Sequence, residues 1–193
     1  MSSLRITAGT LRGRRIPVPR GDVRPTSERA RQAYFNIVGD RIAGASFLDL
    51  FAGSGIFSFE AVSRGAASST AIDRDTAGIA KQAEDLGVTN IQTIAGDALS
   101  ALKRLPAERF DLVYADPPYD YDRYGDLLEA IEKIHLADEA IVAVEHRRRT
   151  DLFNRGPRSG DRGLKSLRRA EYGEVWITFF QAETATGIAM ENE

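Results

Sequence analysis

Asp116-Pro117-Pro118-Tyr119 follows directly on the apolar run FDLVYA. Prolines carry no N–H, so two in succession end a central strand. They also stiffen the backbone, and nearby carbonyls then point in fixed directions. A fixed carbonyl beside the Asp116 carboxylate makes a pair of hydrogen-bond acceptors. The matching ligand carries two donors on one atom, as an exocyclic amine does. The Tyr119 ring next to them offers a flat face on which a base can stack, a contact worth ~1–3 kcal/mol.

A second group of residues has its own chemistry. The apolar run SFLDLF ends in AGSG. Gly53 and Gly55 let the backbone approach a ligand closely, and a helix N-terminus follows. The place of a third small residue in a dinucleotide fingerprint falls on Ser58, which does not decide between ligands. Asp49 lies at the end of the same run, just ahead of the glycines. Asp73 ends the next apolar run, 18 residues beyond Gly55, where a carboxylate can accept both hydroxyls of a ribose. Asp97 follows a third run and is positioned to border an adenine. Acids at the ends of successive strands point to a nucleoside-containing cofactor, with NAD and S-adenosylmethionine both open at this level.

These residues need a frame that gathers strand ends on one side. Apolar runs at SFLDLF, STAID, NIQTIAGD, FDLVYAD and AIVAVEH alternate with helical stretches, including about 75–86, 97–104 and 123–134. That alternation predicts a parallel sheet covered on both faces. In such sheets ligands lie at the carboxyl ends of the strands, where strand order reverses. A strand around 166–172, then Tyr172-Gly173, then EVWITFFQ, predicts a closing antiparallel hairpin. At the other end LRITAGTLRGRRIPVP reads as a short β-hairpin. A helix from about Ser27, capped by Thr26, carries Ala30, Ala33, Tyr34, Ile37 and Val38 on one face.

Composition limits what else the chain can do. The 193 residues are 42% hydrophobic and 28% charged, and contain no cysteine and two histidines. Disulfides, thiolate metal sites and a cysteine nucleophile are excluded, no metal is expected, and the lack of cysteine fits a cytoplasmic protein. No run approaches a membrane span. The formal net charge of −2 hides a strong segregation. Residues 1–31 carry eight arginines against two acids, and residues 146–169 carry nine basic residues against two acids. Two basic segments on an acidic body favour a polyanionic partner, and arginine forks onto phosphates.

DPPY after the fourth strand is the signature of methyltransferases that modify exocyclic or amide nitrogen. RPTSERARQAYFNIV, FLDLFAGSGIFSFEAVSRGA, AIDRD, GDAL, FDLVYADPPYD and AVEH, in this order, resemble the bacterial small-subunit ribosomal RNA guanine-N2 methyltransferases of the RsmD type. The similarity covers roughly residues 4–146 and does not extend to 147–165 or the tail. It implies a Rossmann-like α/β class I methyltransferase fold, mostly parallel, over 26–183. A basic hairpin extension occupies 1–25, and a tail occupies 184–193. The implied cofactor is S-adenosyl-L-methionine, held by Asp49, Phe51, Gly53, Ser54, Gly55, Asp73, Arg74, Asp97, Ala98 and Asp116. The implied catalytic residues are Asp116, Pro117, Pro118 and Tyr119. The implied partner is ribosomal RNA in a small-subunit assembly particle, met by a monomer and held by Arg5, Arg12, Arg14, Arg15, Arg24, Thr26 and Arg29. Rival readings are a DNA adenine-N6 methyltransferase, which shares DPPY, and a non-catalytic RNA-binding assembly factor.

Overall fold

The computed structural model describes residues 2–18, 25–105, 109–152 and 163–183. Two short strands, β1 (Ser3–Arg5) and β2 (Arg15–Pro17), pair antiparallel with Leu4 opposite Ile16. Helix α1 (Pro25–Val38) follows. It starts at Pro25, so Thr26 lies inside the first turn and not at the cap; proline at the first helical position lacks only an N–H that has no helical partner. The expected apolar face is also rotated. Arg31 and Phe35 are buried along with Ala30, Tyr34 and Val38, while Ala33 and Ile37 are partly covered.

The rest of the chain alternates as the apolar runs require. In order come β3 (Ser46–Leu50), α2 (Ile56–Ser63), β4 (Ser68–Asp73), α3 (Ala77–Leu86), β5 (Ile91–Ala95), α4 (Ala98–Leu102), β6 (Phe110–Ala115), α5 (Tyr124–Glu132) and β7 (Leu136–Arg147). The closing strands are β8 (Leu164–Tyr172) and β9 (Val175–Ala182). Together the strands from β3 onward form one seven-stranded sheet in the order β5-β4-β3-β6-β7-β9-β8. The first five strands in that order pair in parallel, and β9 pairs antiparallel with both β7 and β8. This is the expected Rossmann-like sheet with its antiparallel hairpin.

Strand order reverses between β3 and β6, whose ends carry the glycine loop and Asp116-Pro117-Pro118-Tyr119. Crossovers leave the sheet in opposite directions at that point and open a crevice. One core lies on the face covered by α1, α2 and α3, with Tyr34, Phe47, Phe57, Tyr114 and Phe179 at its centre. A second lies under α4 and α5, built on Leu48, Leu50, Val113, Leu127 and Ile131. Because both faces are buried, the central strands β3 and β6 read as nearly continuous apolar runs, broken at Asp49 and Asp111, instead of alternating.

The hairpin of β1 and β2 is fastened to the C-terminal half of α2. Glu60 is fully buried there and accepts from the Thr7 N–H at 2.9 Å, the Thr7 hydroxyl and the Ala8 N–H at 3.2 Å. Ser63 accepts through its carbonyl from the Thr10 N–H and through its hydroxyl from the Leu11 N–H. Gly9 is what allows this approach: a Cβ there would lie 1.6 Å from the Ser63 carbonyl oxygen, and its φ is +78°.

Candidate active site

A cleft of about 430 Å3 opens at the carboxyl ends of β3, β4, β5 and β6, within the range expected of a small-molecule site. Of the residues expected to hold a cofactor, Asp49, Phe51, Gly53, Ser54, Asp73, Arg74, Asp97, Ala98 and Asp116 line it, whereas Gly55 does not. The loop after β3 has unusual backbone. Phe51 takes φ +60°, a left-handed conformation that costs a bulky side chain of order 1–3 kcal/mol. Gly55, at φ +73°, heads α2, and a Cβ there would lie 3.0 Å from the Ile79 side chain, so any larger residue would be strained in its backbone and crowd that side chain.

Two acids hold this loop. The Gly53 N–H donates to Asp73 Oδ2 at 2.8 Å, and the Asp75 N–H donates to Oδ1 at 3.3 Å. A carboxylate has about four lone-pair sites, so Asp73 keeps capacity for further donors. Asp49 is buried, and its Oδ2 accepts from the Ser58 N–H at 3.0 Å and the Ser58 hydroxyl at 2.7 Å. Burial raises its carboxyl to about 7, although the Ser58 bonds act the other way. Ser58 stands where the fingerprint wants a small residue, and its work here is to anchor Asp49. Asp97 is exposed and caps α4, accepting from Ser100 N–H and hydroxyl, so it borders the cleft and starts a helix at once.

The opposite wall comes from β6, α5 and β7. The Asp116 N–H donates to the Leu50 carbonyl at 3.3 Å, which ties the end of β6 to the end of β3. Beyond it the double proline leads into a turn, where the Pro118 carbonyl accepts from the Tyr121 N–H at 2.9 Å. Tyr119 is 52% exposed, unusual for so large an apolar side chain in this molecule. Deeper in the cleft the Tyr114 hydroxyl donates to Glu145 at 2.7 Å, and its ring stacks on Phe57 at 3.8 Å. Burial first, and Asp116 second, push the Tyr124 hydroxyl up to about 12, so it remains a neutral donor. His146 is buried within β7, bonded to the Thr178 hydroxyl at 2.8 Å, and burial lowers its pKa.

Arg31 is the cleft residue that motif reading passed over. It is 1% exposed and lines the cleft. One terminal nitrogen donates to the Arg5 carbonyl at 3.0 Å, and Nε lies 3.7 Å from Glu60. Glu60 is also paired with Arg64 at 2.9 Å, so one carboxylate serves two guanidinium groups. Nε and Nη1 of Arg31 lack hydrogen-bond partners among the described residues. Orphaned donors on a buried cation are costly and suit an anionic group such as an amino-acid carboxylate. A buried arginine on a helix was detectable only as a break in the apolar face of α1.

Arg5, Arg12, Arg14, Arg15 and Arg29 are exposed, the first four on the docked hairpin. Arg15 donates to the Ser3 hydroxyl at 3.1 Å. Arg24 and the tail from 184 lie outside the described residues, as does the side chain of Thr26. No helix among the described residues is long and apolar enough to cross a membrane.

Comparison with known proteins agrees with this geometry. The family described as conserved hypothetical protein 95 matches residues 4–181. A protein of Escherichia coli named ribosomal RNA small subunit methyltransferase D is 38% identical over 150 residues, 74% of each chain. Its namesake in Haemophilus influenzae is 33% identical over 150 residues, 74% of this chain and 78% of that one. The solved structure of Escherichia coli yhhF, described as a methyltransferase, superposes with a TM-score of 0.79 at 31% identity, covering 95% of this chain and 99% of that one. A Rossmann-like sheet, a glycine loop facing Asp116-Pro117-Pro118-Tyr119 and these matches together make the chain a member of the conserved hypothetical protein 95 family, the RsmD-type methyltransferases.

Proposed function

We propose that the protein transfers a methyl group from S-adenosyl-L-methionine to the exocyclic N2 of a guanine in small-subunit ribosomal RNA. One observation carries the reading: Asp116, Pro117 and the exposed Tyr119 ring open on the same cleft as the glycine loop and Asp73. The names of the relatives support ribosomal RNA as the substrate class.

The cleft fits the cofactor at both ends. Asp73 has acceptor capacity for the ribose hydroxyls, and Asp97 and Ala98 border the adenine. At the other end the orphaned donors of Arg31 suit the amino-acid carboxylate. When bound, the cofactor supplies an electrophilic methyl carbon. The chain's own residues do the rest. Tyr119 stacks on the guanine, which must leave its stack to reach the cleft. The Asp116 carboxylate and a proline carbonyl beside it accept from the amine. A guanine amine is a weak nucleophile because its lone pair is delocalised into the ring, and two acceptors favour a pyramidal nitrogen with that lone pair directed into the cleft. Holding it there supplies most of the acceleration, and Asp116 takes the proton that the amine gives up. Arg5, Arg12, Arg14, Arg15 and Arg29 hold RNA phosphates, contacts that position without reading sequence.

The test is mass spectrometry of nucleosides from ribosomal RNA and DNA of a strain lacking the gene. One N2-methylguanine should vanish from small-subunit RNA and return with the wild-type gene, but not with Asp116→Ala. Unchanged ribosomal RNA together with lost N6-methyladenine in DNA would overturn the reading.

A further inference from the structure

Arg147 ends β7, at the mouth of the cleft, and its guanidinium lies over the ring of Tyr119. The two residues differ in how they are held. Tyr119 sits in the turn between Pro118 and Tyr121, half exposed. The backbone of Arg147 is pinned from several sides: its carbonyl takes the Thr150 N–H and a bond from His146 Nδ1, both at 2.9 Å, and it pairs with Val175 of β9. Its side chain is partly buried, and Nε is buried without a hydrogen-bond partner among the described residues. A desolvated guanidinium nitrogen needs compensation, and the negative face of an aromatic ring provides it. The cation is therefore the deeper and better anchored member of the pair, and the ring is the outer one. The resemblance that identified the neighbouring residues ends at His146, so this contact had no counterpart among the sequence motifs.

We infer that Arg147 is a positioning residue for target recognition: it backs one face of the Tyr119 ring and fixes the plane on which the extruded purine stacks. The inference rests on the reading of Tyr119 as the base shelf. A ring on a turn, left to itself, would sample several orientations, and each RNA encounter would have to freeze it. A ring already seated on a sheet-anchored cation meets the base in a set orientation, so the entropy of ordering is lost before binding and not during it.

A double-mutant cycle tests this, using the full chain, ribosomal RNA substrate and saturating S-adenosylmethionine. Arg147→Ala should raise KM for RNA about 3–10-fold, the factor one cation–π contact contributes. kcat and the affinity for S-adenosylhomocysteine, measured by calorimetry, should each change less than about two-fold on the same scale. Arg147→Lys should fall between, since it keeps the charge but not the planar stack. In a Tyr119→Ala background, Arg147→Ala should add almost nothing, because the partner through which it acts is gone. An unchanged KM for Arg147→Ala overturns the inference. So do effects that multiply in the double variant, which would place Arg147 directly on the RNA. An unchanged KM for Tyr119→Ala alone overturns the shelf reading, and the inference with it, so the two failures look different.

Discussion

The two walls of the cleft are built on opposite principles. On the β3–β5 side the acids are committed to the protein: Asp49 to Ser58, Asp73 to Gly53, Asp97 to the start of α4. The loop they hold is strained at Phe51 and close-packed at Gly55. On the β6–β7 side Asp116 and Tyr119 are exposed to solvent, and the guanidinium of Arg147 lies over the ring. The first wall is finished before any ligand arrives and suits a small molecule that is the same at every turnover. The second is left open to a macromolecule that brings its own shape. Preorganisation costs conformational entropy once, at folding, and it is worth that cost where the ligand does not vary.

If this contrast holds, damage to one wall should leave the other working. The largest separation is expected for Asp116→Ala. Turnover should drop about 10^3-fold, in the range seen when a general base is lost, while the affinity for S-adenosylhomocysteine stays within about two-fold on the same arithmetic. Calorimetry and single-turnover assays on one preparation check both halves of the statement.

Arg31→Met should do the reverse. A charged hydrogen bond contributes ~1.5–3 kcal/mol, so binding of S-adenosylhomocysteine should weaken by roughly 10–100-fold. Methylthioadenosine, which has no amino-acid carboxylate, should bind the variant and the wild type alike. Equal losses for both ligands would mean that Arg31 only braces the hairpin against α2.

The smallest effect concerns stability. Asp49 keeps its proton up to about 7 in the folded chain, because burial disfavours the charge; in the unfolded chain it releases the proton near 3.8. Between those values the folded state binds more protons than the unfolded state, so this group's contribution to stability falls as pH rises through the window. Asp49→Asn cannot ionise and still accepts from Ser58. Denaturant midpoints measured at pH 5 and pH 8 should therefore shift in favour of the variant at the higher pH, by ~1 kcal/mol or more given ~1.4 kcal/mol per unit. A constant gap would show that water or a neighbouring cation relieves the buried charge.

Much of this molecule is local chemistry. Apolar runs with acids at their ends, glycines at 53 and 55 and a double proline at 117 and 118 act within a few residues of themselves. They are enough to read a parallel sheet, a ligand at its carboxyl edge and an acceptor pair beside an aromatic ring. Even the hairpin shows in its glycines and prolines. Partnerships across the chain do not show in this way. Thr7 and Arg31 meet at Glu60, Tyr114 finds Glu145, and Arg147 finds Tyr119, each through spacings that no periodicity encodes. Burial decides them: a charged side chain reads as surface in sequence until folding strips its water and forces it to find a partner. That is why Arg31 looked like one more arginine in a basic segment and proved to be buried beside the cleft. It is also why the acid at 49 could be located from the sequence, while its protonation could not.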